Sequence, residues 1–379
     1  MDFELTEEQS LVQEMMRNFA NNEILPVGKA LEEQHEFPKE LLKKIAALGI
    51  LGMTLPAEYG GTQTDEFSFI LALEEIGYAL PSLSVIISVH CSLYCYAINT
   101  FGTPSQKDKY LPQAASGQTL GAFSLTEPGV GSDATQLKTK AKKDGDVYVL
   151  NGTKSWITNG READTLILFA KTEKDKEKKF SAFIVDKNTP GLHVTRIEEK
   201  LGLHASPTAE ISLEDCRIPA ENLLGKEGQG TAVAFKCLDH SRIGIAAQSV
   251  GLAQRALDEA VKYAKNREAF GTTISGLQAI QFMISDMATH IEAARLLTYQ
   301  AALLFEKGKP FAKESSMAKL FASEVANKNA YLALQIHGGY GYSKEYIVEQ
   351  LFRDARAFSI YEGTSEIQRL IISRYLLKE

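Results

Sequence analysis

The stretch LTEPGVGSDA, Leu125 to Ala134, decides between two architectures. Its G-x-G-x-x-A spacing, Gly129 to Ala134, matches the loose dinucleotide-binding fingerprint of a parallel α/β protein. That fingerprint needs a strand before it and a helix after it, because the ligand's phosphates rest on the helix N-terminus. A strand pattern does precede it. The segment that follows, TKAKKDGDVYVLNG (139–152), reads as another strand. A Rossmann unit is therefore disfavoured, and a glycine loop between strands remains. Such a loop can offer backbone N–H groups to a flat heterocycle or a phosphate, with the Thr126 and Ser132 hydroxyls beside them. A tight inter-strand turn is the competing reading.

Outward from that loop the texture stays β. GAFSL, DVYVLNG, TLILFAK, FSAFIVD, LHVTRI and AEISLEDC are short, rich in β-branched and aromatic residues, and separated by turn chemistry. They predict an antiparallel barrel or sandwich over 121–230. The charge run KTEKDKEKK (171–179) reads as a solvated hairpin loop. On the N-terminal side, 1–120 reads as helical. Thr6 caps a first helix with the apolar face Leu11, Val12, Met15, Met16 and Phe19. Pro38 opens a second, and segments 64–80, 82–101 and 105–116 follow, with 55–62 as a loop. On the C-terminal side, 231–379 reads as long helices over 231–265, 277–306 and 311–337, a four-helix bundle in prospect. The fold class is thus a multi-domain α+β chain: helical, then β, then a helical bundle.

Composition narrows the function. A net charge of -7 disfavours nucleic acid as the main partner. No run of 18 or more apolar residues suggests a membrane span. The acidic N-terminus resembles neither a secretory leader nor a transit peptide, so a cytoplasmic location is expected. Four cysteines in 379 residues make no disulfide framework. Cys91 and Cys95 lie beside His90, but too few ligands share their spacing for zinc, and no metal is expected. The hydrolase, zincin and P-loop signatures are absent.

Several residues could carry chemistry. Trp156, the sole tryptophan, and Thr158 fall two apart in a strand and share a face, suited to stacking on an aromatic group. Asp239 and Arg242 lie one helical turn apart, where a simple ion pair is the bland reading. Arg267 ends a helix, and Gly338, Gly339 and Gly341 end another. In IYEGTSEIQRL (360–370), Ser365 and Gln368 form a capping-box pattern, so a helix starts near Ser365 and Glu362 lies just before it. Glu362 either complements the helix dipole or is a general base displayed on a turn with only Gly363 after it.

AFSLTEPGVGSD, LNGTKSWITNG, KLGLHASPTAEISLEDCRIP, NREAFG with LQAIQF, QIHGGYGYSKEY and RDARAFSIYEGTSEIQR occur in that order across the chain. Together they resemble the acyl-CoA dehydrogenase family, most nearly its short-chain, butyryl-CoA type members. The resemblance implies noncovalent FAD, an acyl-CoA substrate, electron-transfer flavoprotein as acceptor and a homotetramer. It implies that Phe123, Leu125, Thr126, Gly131, Ser132, Trp156, Ile157 and Thr158 line the flavin. Arg267, Gln278, Gln335, Gly338 and Gly339 would hold the FAD diphosphate and adenosine, partly across a subunit interface. Thr364, Ser365 and Glu366 would complete the cofactor site. Ser132, Asp239, Arg242 and Gly363 would face the substrate. Glu362 matches the family's base, which takes the α-proton while a hydride leaves Cβ for flavin N5, giving a trans-2-enoyl-CoA.

The segment around His90 and Cys91 would lie near the far end of the acyl chain, shaping a short, branched or cyclic pocket. Ser84 falls where glutaryl-specific members place an Arg, which disfavours a dicarboxylyl substrate. Gln136, His204 and Gln350 depart from the family pattern, and His204 is expected to be a surface or interface residue. An acyl-CoA oxidase, or a non-catalytic CoA- or flavin-binding protein, is the alternative.

Overall fold

The computed structural model describes residues 4–172 and 179–377. Helices come first: α1 (Glu7–Phe19), α2 (Leu25–Gln34), α3 (Lys39–Ala47), α4 (Glu66–Ala79), α5 (Pro81–Ser88), α6 (Tyr96–Phe101) and α7 (Pro104–Ala115). Thr6 caps α1 through a full capping box with Gln9. Thr103 and Gln106 do the same for α7, and the Gln106 amide reaches on to the Glu221 carbonyl (2.7 Å), tying α7 to the β region. The sequence did not single out α2 as a separate helix. It continues α1 through a π-helical turn at Ala20–Ile24.

A second π-helical turn, Val89–Cys95, joins α5 to α6. The run Pro81–Phe101 is apolar and long enough to cross a membrane by composition. With 94% of that window buried, it is instead a core element.

The β region holds β1 (Gly121–Ser124), β2 (Lys140–Asp144), β3 (Val147–Thr158), β4 (Thr165–Ala170), β5 (Ser181–Asp186), β6 (Leu192–Ile197), β7 (Thr208–Pro219) and β8 (Leu223–Leu224). They form two four-stranded sheets, β1-β4-β5-β8 and β2-β3-β7-β6. The expectation of a wholly antiparallel sandwich needs correction, because β1 and β4 pair in parallel. The chain leaves β1, builds β2 and β3 in the other sheet, and only then returns. That is a crossover of the kind parallel pairing requires.

The sheets meet over Leu150, Leu166, Leu168, Phe183, Val185, Ile211 and Leu213. The opposite face of the first sheet, with Phe123, Ile167, Phe169 and Ile184, is covered by Val89, Tyr94, Leu111 and Val233 from helical segments. Burial on both faces explains why TLILFA is continuously apolar rather than alternating. The run 171–179, read as a hairpin loop, lies mostly outside the described residues.

After β8 come α8 (Gly230–Asn266), a short hairpin of β9 (Glu268–Ala269) and β10 (Thr272–Thr273), α9 (Gln278–Glu306), α10 (Ala312–His337), α11 (Val348–Phe358) and α12 (Ser365–Leu376). The three long helices pack on one another, and α11 and α12 lie against α10. The fourth flank of α8 is taken by α4 from the N-terminal region. One continuous apolar cluster therefore joins Phe69, Leu73 and Ile76 to Ala246, Val250 and Ala253. Glycine makes this approach possible. A Cβ on Gly251 would lie 2.2 Å from the Glu74 carbonyl oxygen, and one on Gly77 would lie 2.9 Å from the Gln248 backbone.

Candidate active site

Between α11 and α12 the chain turns through two left-handed residues, Glu362 (φ 52°) and Gly363 (φ 96°). Glutamate is uncommon in this region of backbone space, so the surroundings must hold it there. The cap of α12 is Thr364, whose hydroxyl accepts from the Ile367 N–H (3.4 Å). This corrects the expected Ser365–Gln368 capping box. Ser365 is already helical, and its hydroxyl donates to Glu324 (2.6 Å). The Gln368 amide instead donates back to the carbonyls of Glu362 (3.2 Å) and Gly363 (2.9 Å).

The Glu362 carboxylate points toward α8. Its Oε2 accepts from the Ser241 hydroxyl. Its Oε1 is shut off from solvent and has no hydrogen-bond partner among the described residues, although the residue as a whole is only half-buried. Burial raises its pKa above the ordinary carboxylate range, against the Ser241 hydrogen bond and the charges of Lys319, Arg242 and His240. Arg242 is buried, donates through Nε to the Glu362 carbonyl (3.3 Å) and pairs with Asp239 at 2.5 Å. His240 stacks between Tyr96 and Phe305. Its Nδ1 meets the Ser92 carbonyl (3.2 Å) and its Nε2 meets Glu66 (2.9 Å).

The glycine loop and β3 are fastened together by a buried ion pair. Lys154 Nζ donates to Glu127 Oε1 (2.8 Å) and to the Leu125 carbonyl (3.2 Å). Glu127 also accepts from the backbone N–H groups of Lys138 (2.5 Å) and Thr139 (3.0 Å). Burial pulls the Lys154 ammonium down to about 8. The Ser155 N–H reaches the Thr126 carbonyl (3.0 Å), so the candidate flavin segments 125–132 and 156–158 are set side by side. Trp156 breaks the β3 ladder with φ 59° and is 57% exposed. Phe123 and Ile157 are buried in the two cores, which leaves their backbones rather than their side chains for a ligand.

Arg267, Gly338 and Gly339 line one cleft of about 650 Å³, continuous through Tyr263, His337 and Tyr340 with another of about 590 Å³ that adds Lys29, Arg255 and Lys262. Arg267 lies over the Tyr340 ring at 5.6 Å. Gln278 and Gln335 are exposed but do not line these clefts. Glu366 is exposed on the first turn of α12.

The two residues expected to shape an acyl pocket are both buried. His90 accepts from the Gly121 N–H through Nδ1 (3.0 Å) and donates to the Ala114 carbonyl through Nε2 (3.1 Å). Cys91 Sγ faces the Leu51 carbonyl (3.5 Å) inside the main core. All four cysteines are free and buried, and no cluster of metal-ligating side chains occurs among the described residues.

Of the departures, Gln136 is exposed and Gln350 is buried beside Asp354 (3.3 Å). His204 is half-buried. It stacks on His35 at 4.2 Å, and its backbone N–H donates to Glu32 of α2 (2.6 Å).

Family models for the acyl-CoA dehydrogenase N-terminal, middle and C-terminal domains match residues 6–118, 122–216 and 228–377. The chain belongs to the acyl-CoA dehydrogenase family. This acyl-CoA dehydrogenase is 49% identical to the mitochondrial short-chain specific acyl-CoA dehydrogenase of Mus musculus, over 99% of this chain and 91% of the relative. It superposes on butyryl-CoA dehydrogenase from Megasphaera elsdenii with a TM-score of 0.97, at 42% identity and full coverage of both chains. A chain from a structure described as electron transferring flavoprotein of Acidaminococcus fermentans matches with a TM-score of 0.98, at 47% identity and full coverage of both.

As an acyl-CoA dehydrogenase it is a flavin-dependent oxidoreductase with FAD as cofactor. The residues present fit that group. A Cβ built on Gly129, Gly131, Gly338 or Gly339 would meet nothing within 4 Å, so open space adjoins both candidate FAD segments. Trp156 presents an unburied indole beside the first of them.

Ser241, Lys319, Gln368 and the His240–Glu66 pair are the neighbours that the sequence reading did not assign. Lys319 had a usable signal. It falls on the small-residue face of α10 with Ser315, Ala322 and Ala326, where a lysine is out of place.

Proposed function

We propose that this acyl-CoA dehydrogenase oxidises the Cα–Cβ bond of a short, branched or cyclic acyl-CoA to the trans-2-enoyl-CoA, with Glu362 as the α-proton acceptor. The enclosed Glu362 carboxylate carries this reading: one oxygen is held by Ser241 and the other has no partner among the described residues. A thioester α-proton is weakly acidic, so its acceptor must be close, desolvated and raised in pKa toward working pH.

In this reading Glu362 Oε1 receives the proton while Ser241 keeps the carboxylate oriented. The Glu362 N–H polarises the thioester carbonyl, as an oxyanion-type donor does. Asp239, Arg242 and Gly363 face the substrate, together with Ser132. Leu125, Thr126, Gly131, Trp156 and Thr158 bind the flavin ring. Arg267, Gln278, Gln335, Gly338 and Gly339 hold the diphosphate and adenosine, and Thr364 to Glu366 close the site at the start of α12. When bound, FAD supplies the acceptor for the hydride that leaves Cβ. Electron-transfer flavoprotein is the proposed redox partner, a homotetramer the proposed assembly, and the cytoplasm the proposed location. The working units are 1–120, 121–230 and 231–379.

The test is anaerobic addition of butyryl-CoA, a branched C5 acyl-CoA, cyclohexanoyl-CoA and octanoyl-CoA to the yellow protein. Bleaching of the flavin band by a short or branched thioester is expected. Glu362→Gln should bind the same thioester and lose bleaching by at least about a thousandfold, the scale of a general base's contribution. Unchanged bleaching in Glu362→Gln would remove Glu362 from the role.

A further inference from the structure

Lys319 has no exposed surface and lies two turns into α10, a helix packed against α8 and α12. Its Nζ donates to the Gly363 carbonyl at 2.7 Å. Gln368 shares that carbonyl, and Gln368 and Arg242 together hold the carbonyl of Glu362. The two successive left-handed residues thus turn their carbonyls into a cluster of three donors, two of them cationic.

The cations differ in what else they touch. Arg242 pairs with Asp239, and His240 pairs with Glu66. Lys319 forms no ion pair within 4 Å among the described residues, and its hydrogen bond is to a neutral carbonyl. Glu362, Glu324 and Glu366 act on it from the acidic side and Arg242 from the basic side. Glu362 in turn is faced by Lys319, Arg242, His240 and the Ser241 hydroxyl.

We infer that Lys319 is a positioning residue for Glu362: it fixes the Gly363 carbonyl that keeps the turn left-handed, and its buried, unneutralised charge favours the ionised carboxylate. The inference rests on Glu362 being the base. Burial, helped by the charge of Arg242, pulls the Lys319 ammonium down to about 7 even though the carboxylates of Glu362, Glu324 and Glu366 work to raise it.

Three variants separate the parts. Lys319→Gln keeps a hydrogen-bond donor and removes the charge, Lys319→Met removes both, and Lys319→Arg keeps the charge. The first two should move the acid limb of the pH profile for flavin bleaching upward by at least about one pH unit, the effect of losing a nearby opposite charge. Lys319→Arg should leave the limb in place. A readout without substrate is the infrared carboxyl band that Glu362→Gln abolishes, which should titrate at higher pH in Lys319→Gln.

An unmoved limb and an unmoved band in Lys319→Gln, with activity merely scaled down, would reduce Lys319 to packing and overturn the inference. If Lys319→Met does not fold, Lys319→Gln and Lys319→Arg still decide the question. Bleaching that survives in Glu362→Gln would instead overturn the assignment of the base. An inert Glu362→Gln beside unshifted Lys319 variants sinks only the role of Lys319.

Discussion

His90 has no exposed surface, and both of its ring nitrogens are engaged by backbone groups from opposite sides. Nδ1 accepts from Gly121 at the start of β1, so a second proton on the ring would confront that N–H directly. Burial holds its pKa down to about 4, against a reference of 6.5. A group depressed in the folded state stabilises above its unfolded pKa and loses that stability as pH falls toward the folded value. The gap corresponds to about 3 kcal/mol. Denaturation midpoints should therefore fall steeply between pH 6.5 and 4, and His90→Gln should flatten that slope. The sequence could offer His90 only as a polar residue near a pocket, because its partners lie 24 and 31 residues away and are main-chain atoms. The turn that holds Glu362 was legible for the opposite reason. The turn that displays it is local, written in the glycine after it and the helix start that follows.

At the scale of elements, the helix pair α4–α8 depends on glycine where two backbones nearly touch. Adding a methyl at Gly251 must push the helices apart, since the atom it meets is the Glu74 carbonyl oxygen and cannot rotate away. Gly251→Ala should cost about 3 kcal/mol, the upper range for overpacking a core, measured by urea unfolding. The long helices were legible from their apolar stripes alone, without caps, and their ends fall within one or two residues of expectation. Two others were not. Helix α2 runs on from α1 without a break that turn chemistry would mark. Helix α11 does carry an apolar stripe, Val348, Leu351, Ala355 and Phe358, but it spans only three turns and no cap announces its start. The parallel β1–β4 pair was hidden as well, since strand patterns carry no direction. It follows from the route of the chain rather than from either strand.

Across the whole molecule, the loop Leu203–His204 of the β region is grasped from both helical regions. Glu32 of α2 takes the His204 N–H and Asp354 of α11 takes the Leu203 N–H, each at 2.6 Å. Burial, and then the proximity of Glu32, raises the Asp354 carboxyl well above its usual range. Two residues that depart from the family pattern, His204 and Gln350, meet at this junction. Their spacing in sequence gave no hint of that meeting, because it is made by three separate segments.

The exposed indole of Trp156 has an optical consequence. It is the only tryptophan among 379 residues, so red-edge excitation isolates a single emitter beside the loop proposed to carry the flavin. Its emission overlaps flavin absorption, and resonance energy transfer at contact range is nearly complete. Adding FAD to flavin-stripped protein should extinguish that emission in step with uptake, while Trp156→Phe should be dark before and after. Undiminished emission in the fully reconstituted protein would place the isoalloxazine away from β3.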